Sequence, residues 1–253
     1  MIALVGNLSR DLLPGRPPRA GGGPYHGARA LHRLRVPARI VARCAVADRE
    51  KLLPQLVRLG TPVRYVPGEH TATFAMAYEG DERRMEIVSL GDVWQPSDLP
   101  ALPASVRWVH VSPLARSDFP AETLAALARK HRLSLDGQGL VRVSERGELQ
   151  LDTNFDPELL RHVRVLKLAD EEAEVLGDPA ALGVREVVVT HGSLGSTVYC
   201  DGRAERVPAH PVAGDPTGAG DAFCAAYLVG RNAGFAPSGA ARRATAVVAA
   251  LLR

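Results

Sequence analysis

The stretch Gly214-Asp215-Pro216-Thr217-Gly218-Ala219-Gly220-Asp221-Ala222-Phe223 holds residue types that together can do chemistry. A run of small residues leads into an apolar helix, with an acid inside its first turn. The first N–H groups of a helix lack intrahelical partners, and the helix dipole puts positive charge there. Glycines let a bulky anion approach that backbone closely. The turn therefore suits an oxyanion whose charge grows during reaction. The same dipole favours an ionised Asp221 at neutral pH. A carboxylate beside an anion site can accept the proton of a hydroxyl that attacks phosphorus. A capped helix with a favourable first-turn charge would explain a bare Gly-x-Gly-Asp, but here Gly218, Gly220 and Thr217 accompany the acid. None of the three lysines, Lys51, Lys130 and Lys167, follows a Gly-x-x-x-x-Gly loop, and no Gly-x-Gly-x-x-Gly follows the first apolar run. Two other phosphate-binding motifs are thereby excluded.

The elements that must position this turn alternate along the chain. Ile2 to Val5 is a short, wholly apolar run, as expected of a strand buried on both faces of a parallel sheet. Residues 12–24, dense in Pro and Gly, read as a loop, and Tyr25 to Leu34 as a helix opening after Gly21-Gly22-Gly23. Further strands are expected at Arg39–Val46, Val106–Val111, Leu133–Leu135, Val163–Leu166 and Val187–Thr190. Helices are expected at Arg49–Leu59, Ala121–His131, Pro157–His162, Asp170–Leu176, Ala219–Arg231 and Ser238–Leu252. Residues 71–78 and 83–90 form a hairpin pattern around Glu79-Gly80-Asp81-Glu82, and Ser196–Cys200 pairs across Asp201-Gly202 with Arg206-Val207. The alternation predicts one α/β domain over residues 1–253, a three-layer α/β/α sandwich on a mostly parallel sheet. The hairpin near 71–90 is expected to project from it as a small lid.

Several segments in this order resemble the ribokinase-like (PfkB) carbohydrate kinases. Asp215 to Phe223 is similar to that family's Asp-Thr-x-Gly-Ala-Gly-Asp signature. Gly6-Asn7-Leu8-Ser9-Arg10-Asp11 follows the first strand, as in the family. Gly21-Gly22-Gly23-Pro24-Tyr25-His26-Gly27-Ala28 resembles its Gly-Gly-x-x-x-Asn-x-Ala helix start. Val165 to Ala173 resembles its Lys-x-Asn-x-x-Glu segment, and Val187 to Ser196 its Thr-x-Gly-x-x-Gly strand and turn. Ala240 to Leu252 resembles its closing nucleotide-side helix.

The resemblance implies an ATP-dependent kinase acting on a hydroxyl of a small sugar or polyol. Asp221 would be the base, and the amides of Gly218, Ala219 and Gly220 the anion hole. Ser9, Asp11, Gly22, Gly23 and His26 would face the acceptor. Thr190, Gly192, Gly195 and Thr245 would line the nucleotide side. Glu172 would help hold Mg²⁺, and some members add a monovalent cation. Asp136-Gly-Gln138-Gly-Leu-Val-Arg142 is similar to a segment of the polyol- and inositol-kinase subgroup, which gives Gln138 an acceptor role and Arg142 a phosphate clamp. The chain departs from the family pattern with His26 and Ala169 in place of Asn, Pro216 in place of Thr, and Thr245 where Asn is common. A nucleoside kinase of the same family, or a non-catalytic sugar- or nucleotide-binding protein on this fold, are the alternatives.

Composition is that of an ordinary globular protein. Of 253 residues 46% are hydrophobic and 23% charged, which argues against a disordered chain. A net charge of +3 implies neither a nucleic-acid nor a membrane partner. Cys44, Cys200 and Cys224 lie far apart, without metal-ligand spacing, and suit a reducing compartment. The opening apolar run is too short for a signal peptide. A cytoplasmic monomer or homodimer is expected.

Overall fold

The computed structural model of the chain describes residues 1–79 and 82–253. In chain order its first half contains β1 (Ile2–Asn7), β2 (Ser9–Leu12), β3 (Arg19–Gly21), α1 (Gly23–Leu34), β4 (Ala38–Ala45), α2 (Arg49–Val57), β5 (Val63–Gly68), β6 (Ala72–Glu79), β7 (Glu82–Ser89), β8 (Trp108–Ser112) and α3 (Ala121–Ala128). The second half contains β9 (Arg132–Asp136), α4 (Gln138–Val141), β10 (Gly147–Glu148), α5 (Glu158–Arg161), β11 (Val163–Ala169), α6 (Asp170–Leu176), β12 (Glu186–Thr190), β13 (Gly195–Cys200), β14 (Arg203–Pro208), α7 (Ala219–Asn232) and α8 (Pro237–Leu252).

Nine strands form the main sheet, in the order β14-β13-β12-β11-β9-β8-β1-β4-β5. It is parallel from β12 to β5, and β13 and β14 join antiparallel at one edge. β1 is buried along its whole length. Successive side chains of a strand point to opposite faces, so β1 feeds two cores. Ala3 and Val5 pack with Val109, Leu124, Leu135 and Leu166 on one face, while Ile2 and Leu4 pack with Leu31, Phe223, Tyr227 and Ala240 on the other. These are the three layers expected from the alternation.

Five strands form a second sheet, in the order β10-β7-β6-β2-β3. The expected hairpin is present as β6 and β7, and its turn at Gly80-Asp81 lies outside the described residues. The lid is larger than a hairpin, because β2 and β3 extend it on one side and β10 on the other. Residues 12–24 are therefore not all loop. Ser9-Arg10-Asp11-Leu12 is too polar to read as a strand alone, and its extended form comes from pairing with β6 and β3. Ala72, Phe74, Met76, Ile87 and Leu114 make an apolar cluster beneath this sheet. Among the described residues, no helix is long and apolar enough to cross a membrane.

Candidate active site

Ligands of open α/β sheets bind outside the carboxyl ends of the strands. A cavity of about 410 Å³ lies along that edge here. It is lined by Ser9 after β1, Gln138 after β9, Ala169 at the end of β11, Thr190 at the end of β12, and the turn from Pro216 to Asp221 before and into α7. The lid reaches the same cavity through Asp11, Phe74, Met76 and Met85.

The turn is built by Gly218, whose φ of 74° is left-handed. A side chain there would also strike the His26 ring, with a Cβ only 2.0 Å from Cγ. His26 is buried, so its first task is to pack against this turn. The Ala219 N–H donates to the Pro216 carbonyl at 2.9 Å. The Ala219 amide thereby closes the turn. Gly220 is tightly backed, since a Cβ there would stand 3.0 Å from the Lys167 ammonium.

Asp221 points into this setting from the first turn of α7. Burial and the Asp136 carboxylate push its pKa up to about 7, while Lys167 and Arg142 pull it back and Asp11 adds to the rise. The helix N-terminus therefore does not keep Asp221 fully ionised at neutral pH, as the sequence suggests. Desolvation and a like charge outweigh the dipole. A carboxylate poised near neutrality is well matched to general base work.

Lys167 stands at the head of the Lys-x-Asn-x-x-Glu segment, which assigned it no role of its own, and it lines the cavity. It is buried in β11, and its ammonium lies 3.4 Å from Asp136 at the end of β9. The charges of Asp136 and Glu172 hold its pKa well above the usual lysine range against the pull of burial. A second signal beside that segment is a lysine between Leu166 and Leu168 in an apolar strand, in a chain with only three lysines. His110, Asp136 and Cys224 also place ligand atoms within 4.8 Å of one another. Lys167 already supplies positive charge beside that group, and burial drives the His110 pKa down to about 4, so the imidazole stays neutral.

The remaining expected residues divide into two groups. In the first cavity, the Ser9 hydroxyl donates to Asp11 at 2.8 Å, and both are buried. Gly22 caps α1 with φ 89°, and a Cβ on Gly23 would meet Ser112 and come 2.9 Å from Asp221. These two glycines let α1 approach the turn at Gly218 and the start of α7. Gln138 opens α4, Arg142 caps it, and both line the cavity. On the other side of the turn, a second cavity of about 210 Å³ is lined by Thr190, Gly192, Gly195, Pro216, Thr245 and Val248, among others. The Thr245 hydroxyl bonds the Ala241 carbonyl one turn back, so it offers this cavity little polarity.

Glu172, the expected Mg²⁺ organiser, lines the cavity beside Asp170 and Glu171. It is buried, its carboxylate accepts the Ala169 N–H at 2.8 Å, and it lies in the field of Lys167. It anchors the start of α6, whereas Asp170, Glu171 and Glu174 are exposed.

The sequence pattern of the pfkB family carbohydrate kinases matches residues 19–253. The chain belongs to the pfkB family. It is 31% identical over 202 residues to an inositol 3-kinase of Oryza sativa subsp. japonica, a match covering 71% of this chain and 50% of that protein. The chain thus spans about half the length of the curated inositol kinases it matches. A pyrophosphate-dependent kinase of the ribokinase family, solved with a pyrophosphate analog and myo-inositol, superposes with a TM-score of 0.88 at 27% identity, over 100% of this chain and 95% of that one. A pyrophosphate-dependent myo-inositol-1 kinase converted into a myo-inositol-3 kinase by a double substitution superposes with a TM-score of 0.87 at 27% identity, over 100% and 93%. These matches agree with the three-layer fold and with the pfkB resemblance read from the motifs.

Proposed function

We propose that this pfkB protein transfers the γ-phosphoryl group of ATP to a hydroxyl of a small polyol or sugar, with a cyclitol such as myo-inositol as the preferred acceptor. One observation carries this reading. The two cavities share Thr190, Gly192, Pro216, Ala219 and Gly220 as a common wall, so the glycine turn lies between an acceptor chamber and a donor chamber. The acceptor chamber has the charged groups, among them Asp11, Arg142, Lys167 and Asp221. The donor chamber is mostly apolar, with Phe223, Val248, Ala249 and Leu252, which suits the flat faces of a purine.

The acceptor hydroxyl gives its proton to the Asp221 carboxylate as its oxygen bonds to phosphorus. The bond from phosphorus to the donor oxygen breaks, and ADP leaves. The amides of Gly218 and Gly220, at the positive end of α7, meet the charge on the migrating group. Lys167 backs that turn and, with Arg142, lowers the cost of two carboxylates near one another. Asp11, fixed by Ser9, accepts hydrogen bonds from acceptor hydroxyls.

Inorganic pyrophosphate is the second donor to consider, because the related inositol kinases of 27% identity use it. It would fill the phosphate positions at the turn and leave the apolar chamber empty. The test supplies either donor with myo-inositol, fructose, ribose or inosine and follows product by ³¹P NMR. ATP consumption that depends on a polyol supports the proposal. Turnover with pyrophosphate alone replaces the donor, and preference for inosine replaces the acceptor. Tight ATP binding with no turnover on any acceptor leaves a binding protein and contradicts the kinase reading.

A further inference from the structure

Arg142 reaches the acceptor chamber from a piece of chain with little to hold it. α4 is a helix of four residues, Gln138–Val141, and Arg142 is its C-cap. A single turn has no stability of its own, and its last carbonyls lack partners within the helix. Beyond Arg142 the chain leaves the main sheet and pairs with β7 of the lid as β10. It returns at Leu151, which bridges antiparallel to Arg142. One residue gathers both ends of this excursion. Arg116, in the short turn after β8, donates from Nε to the Leu140 carbonyl at 2.9 Å and from Nη2 to the Val141 carbonyl at 3.2 Å. Nη2 also meets the Asp152 carbonyl at 3.3 Å and the Asp152 carboxylate. The Arg116 backbone N–H donates to the Arg142 carbonyl at 3.0 Å.

A guanidinium presents its donors in a rigid planar fork. Here the fork satisfies the last carbonyls of α4, which burial would otherwise leave unpaired. Leu140 and Val141 are fully buried, and the Arg116 side chain is only 18% exposed, so water competes little for these bonds. The packing leaves α4 no slack on its other side, because a Cβ on Gly139 would stand 2.3 Å from Pro113. Asp152 is half exposed, so its ion pair with Arg116 adds little by itself. Arg116 lines neither chamber, whereas Gln138 and Arg142 line the acceptor chamber. The Arg142 charge is also one of the two that offset the carboxylates around Asp221.

We propose that Arg116 is a positioning residue: by clamping both ends of the 142–152 excursion it fixes the point from which the Arg142 guanidinium meets the migrating phosphoryl group. This rests on the kinase reading above. Arg116 lies outside both chambers, so its effect on the reaction passes through Arg142. Without the fork, the single turn of α4 loses the partners of its last carbonyls and carries Arg142 off its line. A misplacement of about 1 Å can cost on the order of 10²-fold in rate, even when its cause lies far from the chemistry.

The experiment is a double-mutant cycle on the full-length protein: the native chain, Arg116→Gln, Arg142→Gln and the pair. Each receives myo-inositol or another active polyol with the donor found active, and rates are taken per folded chain. In the native background Arg116→Gln is expected to lower kcat about tenfold or more, with acceptor KM changed much less. In the Arg142→Gln background the same substitution is expected to lower kcat by less than about twofold, because the group it positions is gone. A purely structural loss would act alike in both backgrounds. Equal losses in the two backgrounds therefore overturn the proposal, as does a native kcat in either single variant. If Arg116→Gln does not fold, Arg116→Lys, which keeps the charge but not the fork, is read by the same criterion. Absence of turnover by the native chain with either donor on every polyol overturns the kinase reading itself. An active native chain with additive losses overturns only the role of Arg116.

Discussion

Asp221 is held between opposing charges. Asp136 and Asp11 raise its pKa, Lys167 and Arg142 lower it, and burial leaves the balance near 7. A base must be deprotonated to accept a proton, so kcat/KM is expected to rise with pH and level off above about 7. Removing Arg142 removes a charge that lowers the pKa. In Arg142→Gln the midpoint of the rise is therefore expected to move to higher pH, measured by initial rates across buffers of constant ionic strength. A midpoint that stays or moves down would mean that another group controls the profile. Lys167 has a second duty, as the buried partner of Asp136. Lys167→Met leaves that carboxylate uncompensated and is expected to cost about 3–5 kcal/mol in urea denaturation. A loss below about 1 kcal/mol would show that the pair is solvated in solution.

At the scale of elements, the approach of α1 to the start of α7 shapes the site. Gly218 combines a left-handed φ with contact against the His26 ring. Gly218→Ala is expected to lower stability by about 1–3 kcal/mol and to cut turnover more than acceptor affinity. His26→Ala in the same chain removes the two nearest ring atoms but leaves its Cβ 2.6 Å away and the φ unchanged, so thermal melts should show only partial recovery. β1 and α7 were legible in the sequence because each is specified locally, by an apolar run or by a small-residue turn before a helix. β2 and β3 were not, because polar Ser9-Arg10-Asp11 becomes a strand only beside β6. Asp11 and Asp221 could be read from their motifs. Lys167 could not be given a role, because its role depends on Asp136, which a different strand supplies. The same holds for Met76 and Met85, whose strand was legible but not the chamber it faces. The occupied amide of Ala219 depends on the path of Pro216, which spacing does not reveal.

For the whole molecule, two chambers on either side of one glycine turn give independent handles on donor and acceptor. Ala249 lines only the donor chamber, on α8. Ala249→Trp is expected to weaken ATP binding by about tenfold or more, a volume effect of the kind that overpacking produces, while calorimetric affinity for the acceptor stays the same. If pyrophosphate is the donor, its KM should not change in this variant. Equal loss for donor and acceptor would mean that the variant disturbs the fold rather than one chamber. The most direct test of the account is single-turnover phosphorylation by Asp221→Asn, with acceptor and donor binding measured on the same preparation. The account predicts both ligands still bound and the chemical step slowed about 10²–10⁴-fold, the range for loss of a general base. A chemical step within a few-fold of the native rate would contradict it.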